Sequence, residues 1–134
     1  MKKTYLTPKD FTPTLGSYSH GLCVDVGDSV FIFVTGQIAM DKEGNVVAAH
    51  DVARQTEFIF ENIKQILGEG GATIDDVVKV VIYVTDISRF KDFSAVRNRY
   101  FSTAKPVSTI VEISKTVKEG CDVVIEVIAI KKKN

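Results

Sequence analysis

Two cysteines, two histidines, three prolines and no net charge leave this 134-residue chain with little of what small specialised proteins commonly rely on. Cys23 and Cys121 are far apart, each in an apolar stretch, so no C-x-x-C redox or zinc pair exists and reduced, buried thiols are expected. His20 and His50 lie in different segments, and neither H-E-x-x-H nor a Cys-His cluster with ligand spacing is present, so no metal site is expected. The 17 Lys+Arg residues cancel 17 Asp+Glu. That balance argues against a dedicated polyanion binder, because neutralising phosphates needs a concentration of Lys and Arg. No run approaches the ~18 apolar residues of a membrane span. The charged start, Met1-Lys2-Lys3, has no apolar stretch behind it to make a signal peptide, which leaves the cytoplasm as the expected location.

What remains is the composition of an ordinary soluble globular protein, 45% hydrophobic and 25% charged. The length suggests one domain, residues 1–134, with enough burial for a core that needs no disulfide or metal staple. No repeat, low-complexity block or linker divides it. The first ~15 residues, with Pro8 and Pro13, read as an extended lead-in. Gly21 to Val26 and Ser29 to Gln37 read as two strands joined at the tight-turn pair Gly27-Asp28. From Asp51, a suitable N-cap, Val52, Ile59, Ile63 and Ile66 stack along one helical stripe that Gly68-Glu69-Gly70-Gly71 stops. Val77 to Val84 is dense in β-branched residues and reads as a central strand. A second helix is expected from about Phe90 to Ser102, with Phe93, Val96 and Tyr100 on one face, before strands at Val107 to Ile113 and Asp122 to Ile130.

The expected order is therefore β-β-α-β-α-β-β, an α+β fold with right-handed crossovers placing both helices on one face of a mixed sheet. In the central strand Val78, Val80, Ile82 and Val84 alternate with Val77, Val81 and Tyr83, so both faces look buried. No third helix exists to cover the second face. Another copy of the chain is the economical cover, which predicts a homo-oligomer.

Most catalytic templates fail. Ser19 with Gly21 gives half of G-x-S-x-G, but Ser17 stands where the first glycine belongs and a strand follows rather than a helix. The Gly68 to Gly71 cluster closes a helix, where carbonyls gather, instead of opening one where amides could hold phosphate. Lys131-Lys132-Lys133 reads as a solvated tail, and His20 as a hydrogen-bonded residue at a strand start. Glu126 is more informative. In Val123 to Ile130 it alternates onto the face of Val124 and Ile128, a carboxylate on an otherwise apolar strand face. Half-buried at an oligomer interface, such a group can orient or activate a water; at an edge it would only face solvent.

Across nearly its whole length the chain resembles the Rid family, the reactive-intermediate deaminases also called YjgF-like proteins. The likeness runs through Gly16-Ser17-Tyr18-Ser19-His20-Gly21, similar to the family's G-P-Y-S-x-(A/G), and through Thr35-Gly36-Gln37-Ile38, its (S/T)-G-Q-I turn. It continues in Gln55-Thr56, Glu61-Asn62-Ile63, Asp75 to Lys79, Val84-Thr85-Asp86, Pro106 with Val111-Glu112-Ile113, and Ile125 to Ala129. The resemblance implies a chorismate-mutase-like fold and a homotrimer with clefts between subunits. It also implies hydrolysis of enamine and imine intermediates to a 2-oxo acid and ammonia, without metal or cofactor. By the same resemblance Glu126 positions water, Tyr18 closes the pocket, and Gly36 beside Thr35 lines it through backbone.

The family's P-A-R-S-x-V-E becomes Pro106-Val107-Ser108-Thr109-Ile110-Val111-Glu112 here, so Ser108 replaces the arginine that grips the substrate carboxylate. Ser108, Thr109 and Ile110 follow as the substrate-facing positions. Serine offers one neutral hydrogen bond where guanidinium offers a charged bidentate fork. Arg97, aligned with a cleft-facing Asn of the family through Asp92-Phe93-Ser94-Ala95-Val96, is a candidate replacement cation. Three readings result: an imine deaminase, a non-catalytic trimer binding a small carboxylate-bearing metabolite, and an endoribonuclease or translation inhibitor. The last finds no basic stripe, so nucleic acid is not an expected partner.

Overall fold

The computed structural model describes residues 1–134. Six strands form one mixed sheet: β1 (Lys3–Leu6), β2 (Gly21–Asp25), β3 (Ser29–Gln37), β4 (Val77–Val84), β5 (Val107–Glu112) and β6 (Val123–Lys132), in the spatial order β1-β2-β3-β6-β4-β5. Only β4 and β5 run parallel. Helices α1 (Val52–Glu69) and α2 (Phe90–Tyr100) supply the two crossovers and pack on the same face.

The α1 stripe is buried as the sequence predicts: Val52, Ile59, Ile63 and Ile66 are inside, joined by Phe60 and Leu67. Fully burying each such side chain contributes about 1.5–3 kcal/mol. The Asp51 carboxylate accepts from the Arg54 amide at 3.1 Å, capping the helix, and Gly70 and Gly71 end it. On α2, Phe93 and Val96 are buried, while Tyr100 stacks on Phe60 with ring centroids 4.9 Å apart. Beneath the helices lie Ile32 and Val34 of β3, Val80, Ile82 and Val84 of β4, and Val123, Ile125, Val127 and Ala129 of β6.

Three expectations need correction. The lead-in contributes β1, which pairs antiparallel with β2 because Leu6 reaches the core beside Gly21. The order is therefore β-β-β-α-β-α-β-β. Strand β4 does not alternate strictly: a register shift between Val77 and Lys79 leaves Val78 exposed and turns Val77 inward with Val80. The lysine tail is not wholly free, since Lys131 and Lys132 pair with Val30 and Ser29 and the Lys133 ammonium donates to Asp25 at 2.6 Å.

The face away from the helices is uncovered. Cross-strand register aligns Phe31 and Phe33 of β3 with Ile130 and Ile128 of β6, then Glu126 and Val124 with Val81 and Tyr83 of β4. All are half-buried or exposed. Strand β5 is an unpaired edge, with Val107 and Val111 exposed.

Both thiols are free: Cys121 is buried against the Ala39 carbonyl and Cys23 is half-buried. Burial pushes both thiols up from their ordinary range. Buried Gln55 ties α1 to two loops. Its amide nitrogen donates to the carbonyls of Gly120, Ala48 and Val47 at 2.7, 3.1 and 3.3 Å, and its carbonyl accepts from the Asp122 amide at 2.9 Å.

Candidate functional site

One end of the uncovered face carries a break in the β3–β6 ladder. Val34 pairs with Val127 but Gln37 with Ile125, so Thr35 and Gly36 form a bulge opposite Glu126. The Thr35 hydroxyl donates to the Ser19 carbonyl at 2.5 Å and the Thr35 amide to the His20 carbonyl at 2.9 Å. These bonds fasten the Tyr18-bearing segment to the bulge. Gly36 lies so close to β6 that a Cβ built on it falls 2.8 Å from Val124 Cγ1. Only glycine fits there without displacing Val124.

Tyr18, Thr35 and Gly36 line one open cavity of about 1260 Å³, together with Val124 and Tyr83. The Tyr83 hydroxyl donates to Glu126 Oε1 at 2.7 Å. This bond holds one carboxylate oxygen and leaves Oε2 without a protein donor. The same bond, and secondarily desolvation, pushes the Tyr83 phenol above its ordinary range, so it remains a donor at neutral pH. His20 borders the cavity, its Nε2 2.7 Å from the Thr12 carbonyl and its buried Nδ1 unpartnered. It is a hydrogen-bonded residue at a strand start, as its position suggested.

The other candidates lie elsewhere. Parallel register sets Thr109 beside Val81, and Val81 faces Glu126, so Thr109 is two strands from the carboxylate on the uncovered face, about 10 Å at the usual strand spacing. Ser108 and Ile110 pair with buried Val80 and Ile82 and therefore share the helix side. Ile110 packs half-buried against the core.

Arg97 and Ser108 do meet. Arg97 Nη1 donates to Ser108 Oγ at 3.2 Å, and its Nε donates to Asn98 Oδ1 at 3.1 Å. Thus a guanidinium sits against the serine that replaces the expected arginine. Both contacts line a notch of about 400 Å³ on the helix side of β5. Within one chain the sheet separates this notch from Glu126.

Sequence reasoning missed Tyr83 as a functional residue. A signal existed: Tyr83 alternates with Val81 on a strand face that no helix covers. Pairing it with Glu126 required the register, which one sequence does not give. No cluster of three or more His, Cys, Asp or Glu side chains is arranged to hold a metal. No helix is long and apolar enough to cross a membrane.

A family model described as endoribonuclease L-PSP matches residues 10–131. A RutC family protein of Pyrococcus abyssi is 41% identical over 129 residues, covering 96% of this chain and 95% of its own length. The mitochondrial protein MMF1 of Saccharomyces cerevisiae is 31% identical, covering 96% of this chain and 87% of its own. Among solved structures, a Rid-family protein, YyfA from Yersinia pestis, superposes with a TM-score of 0.85 at 31% identity over 96% of this chain and 98% of the other. Escherichia coli TdcF with bound serine superposes with a TM-score of 0.81 at 26% identity, over 96% of this chain and 99% of the other.

Proposed function

The chain belongs to the Rid family, the YjgF-like proteins whose family model is described as endoribonuclease L-PSP, and on that basis we propose that it hydrolyses small 2-imino or enamino acids to 2-oxo acids and ammonia. The observation that carries the reading is the Tyr83–Glu126 bond beside the Thr35–Gly36 bulge. Glu126 itself does not line the cavity, but Tyr83, which does, holds one of its oxygens, and a carboxylate held in this way is an oriented base. Water attacks the imine carbon while Glu126 accepts its proton. Glu126 returns that proton to nitrogen, giving the carbinolamine, then takes the carbinolamine's hydroxyl proton and delivers it to the amino group, so that the C–N bond breaks and ammonia leaves as the carbonyl forms. Tyr18 shapes the cavity over the reacting carbon, and the Gly36 backbone lets the substrate approach β3.

Arg97, aimed by Ser108 and Asn98, grips the substrate carboxylate in place of the arginine the family carries at position 108. Because the sheet separates Arg97 from Glu126, this chemistry requires Arg97 of one copy to face Glu126 of the next. A homotrimer in which the β5 rim of one copy, where the notch lies, packs beside the Thr35–Gly36 bulge of the next would meet that requirement, with Thr109 along the same interface. Serine bound to TdcF supports a ligand of amino-acid size and charge.

Ammonia release from a freshly generated imino acid tests the reading. Glu126→Gln, which keeps the Tyr83 contact but cannot take a proton, is expected to lower the rate at least about 100-fold. Wild-type rates in the Glu126→Gln variant would end it. Ser108 favours one other reading, a trimer that binds the same ligands without turnover, which predicts ligand-induced thermal stabilisation and no Glu126-dependent ammonia.

A further inference from the structure

We infer that the notch beside β5 takes a second acidic group, so that the ligands of this chain are imino and 2-oxo acids with two carboxylates; the inference rests on the reading above and narrows its substrate class. The notch is lined by seven residues, two of them cations, Arg97 and Lys105, and none of them Asp or Glu. Neither cation forms an ion pair with any carboxylate of the chain. Two uncompensated positive charges on one concave surface are mutually repulsive, and a dianion relieves both.

The details favour recognition over a solvated face. Arg97 spends two of its five N–H donors on neutral acceptors, Asn98 Oδ1 and Ser108 Oγ. The fork is thereby oriented, its charge stays whole, and three donors remain. Although Arg97 lies in the last turn of α2, its guanidinium bonds go to Asn98 and Ser108 and not to a helix carbonyl. Lys105 has φ 45°, in the left-handed region and immediately before Pro106, where a lysine is doubly disfavoured. Strain of this kind persists only where surrounding structure holds it and gathers at ligand sites. Ser102 adds a hydroxyl to the same wall. The notch is open to solvent, and its volume of about 400 Å³ leaves room for a small diacid. One carboxylate on Arg97 and one on Lys105 satisfies both cations.

Calorimetric titration of the full chain with 2-oxoglutarate and with 2-oxopentanoate, equal in carbon count and differing by one carboxylate, reads the second group directly. We expect 2-oxoglutarate to bind about fivefold more tightly, the size of an exposed ion pair. Lys105→Met should erase the preference and Lys105→Arg should keep it, while Arg97→Met weakens both ligands. Equal affinities in the wild type, or a preference that survives Lys105→Met, overturns the inference even where Glu126-dependent ammonia release persists. Inorganic phosphate binding as tightly as 2-oxoglutarate overturns the assignment to a second carboxylate. A diacid preference without Glu126-dependent release leaves the notch standing and removes the deaminase reading instead.

Discussion

Mixing two impaired variants tests whether the working site is shared between copies. Glu126→Gln disables the half-site on the uncovered face, and Arg97→Met disables the half-site on the helix side. In one chain these halves are separated by the sheet itself: Ser108, which holds Arg97, pairs with buried Val80, whereas Glu126 faces Val81 on the opposite side. Losing a hydrogen-bonded charge costs about 1.5–3 kcal/mol, so Arg97→Met alone should lose roughly 10- to 150-fold. When the two variants assemble at random in equal amounts, about a quarter of interfaces combine an intact Glu126 half with an intact Arg97 half. Co-refolded or co-expressed variants should therefore recover about a quarter of wild-type ammonia release, well above either variant alone. Native mass spectrometry establishes that mixed oligomers formed. Mixed oligomers without recovery would refute the shared site, because a site within one chain always carries one of the two lesions.

Gly36→Ala forces a methyl to 2.8 Å from Val124 Cγ1, and overpacking of that kind costs about 1–3 kcal/mol in chemical denaturation; Val124→Ala in the same chain should restore most of it. Gln55→Leu leaves the Asp122 amide and three carbonyls without their side-chain partner, and should destabilise by about 3 kcal/mol by the same measurement. Burial, reinforced by the hydrogen bond that the Tyr100 hydroxyl donates to Glu61 Oε2 at 2.6 Å, pushes the Tyr100 phenol up to about 12. Below pH 10 both folded and unfolded states keep that proton, so the stabilisation is complete. Between pH 10 and about 12 the unfolded state ionises first, and stability falls as pH rises. Tyr100→Phe should flatten that alkaline limb in urea melts taken at successive pH values.

Periodicity made the helices legible. The spacing of Val52, Ile59, Ile63 and Ile66 is a property of the chain alone, and so is the burial it produces. The alternation of β6 likewise shows Glu126 on a face with Val124 and Ile128 before any fold is known. Long-range register was not legible. Strand β1 is four residues long and mostly exposed, and only the docking of Leu6 beside Gly21 makes it a strand. The β4 irregularity at Val78 is a tertiary choice that no local pattern dictates. At the site, Tyr18, Thr35 and Gly36 came from motif and meet in one cavity. Tyr83 and Lys105 did not, because one depends on cross-strand pairing and the other on a backbone angle. Arg97 carries no local signal beyond its charge, and its contact with Ser108 sets it beside the position lacking the family's arginine in space rather than in sequence.

Strand β5 lies at the rim of the sheet with its outer ladder unpaired and Val107 and Val111 turned outward. A bare apolar rim of this kind recruits any extended chain, correct or not. On the proposed trimer, a newly made copy would face a race between productive assembly and clumping. If the site is shared between copies as proposed, dilute chains would be idle, and their bare β5 rim would stay open until a partner covered it.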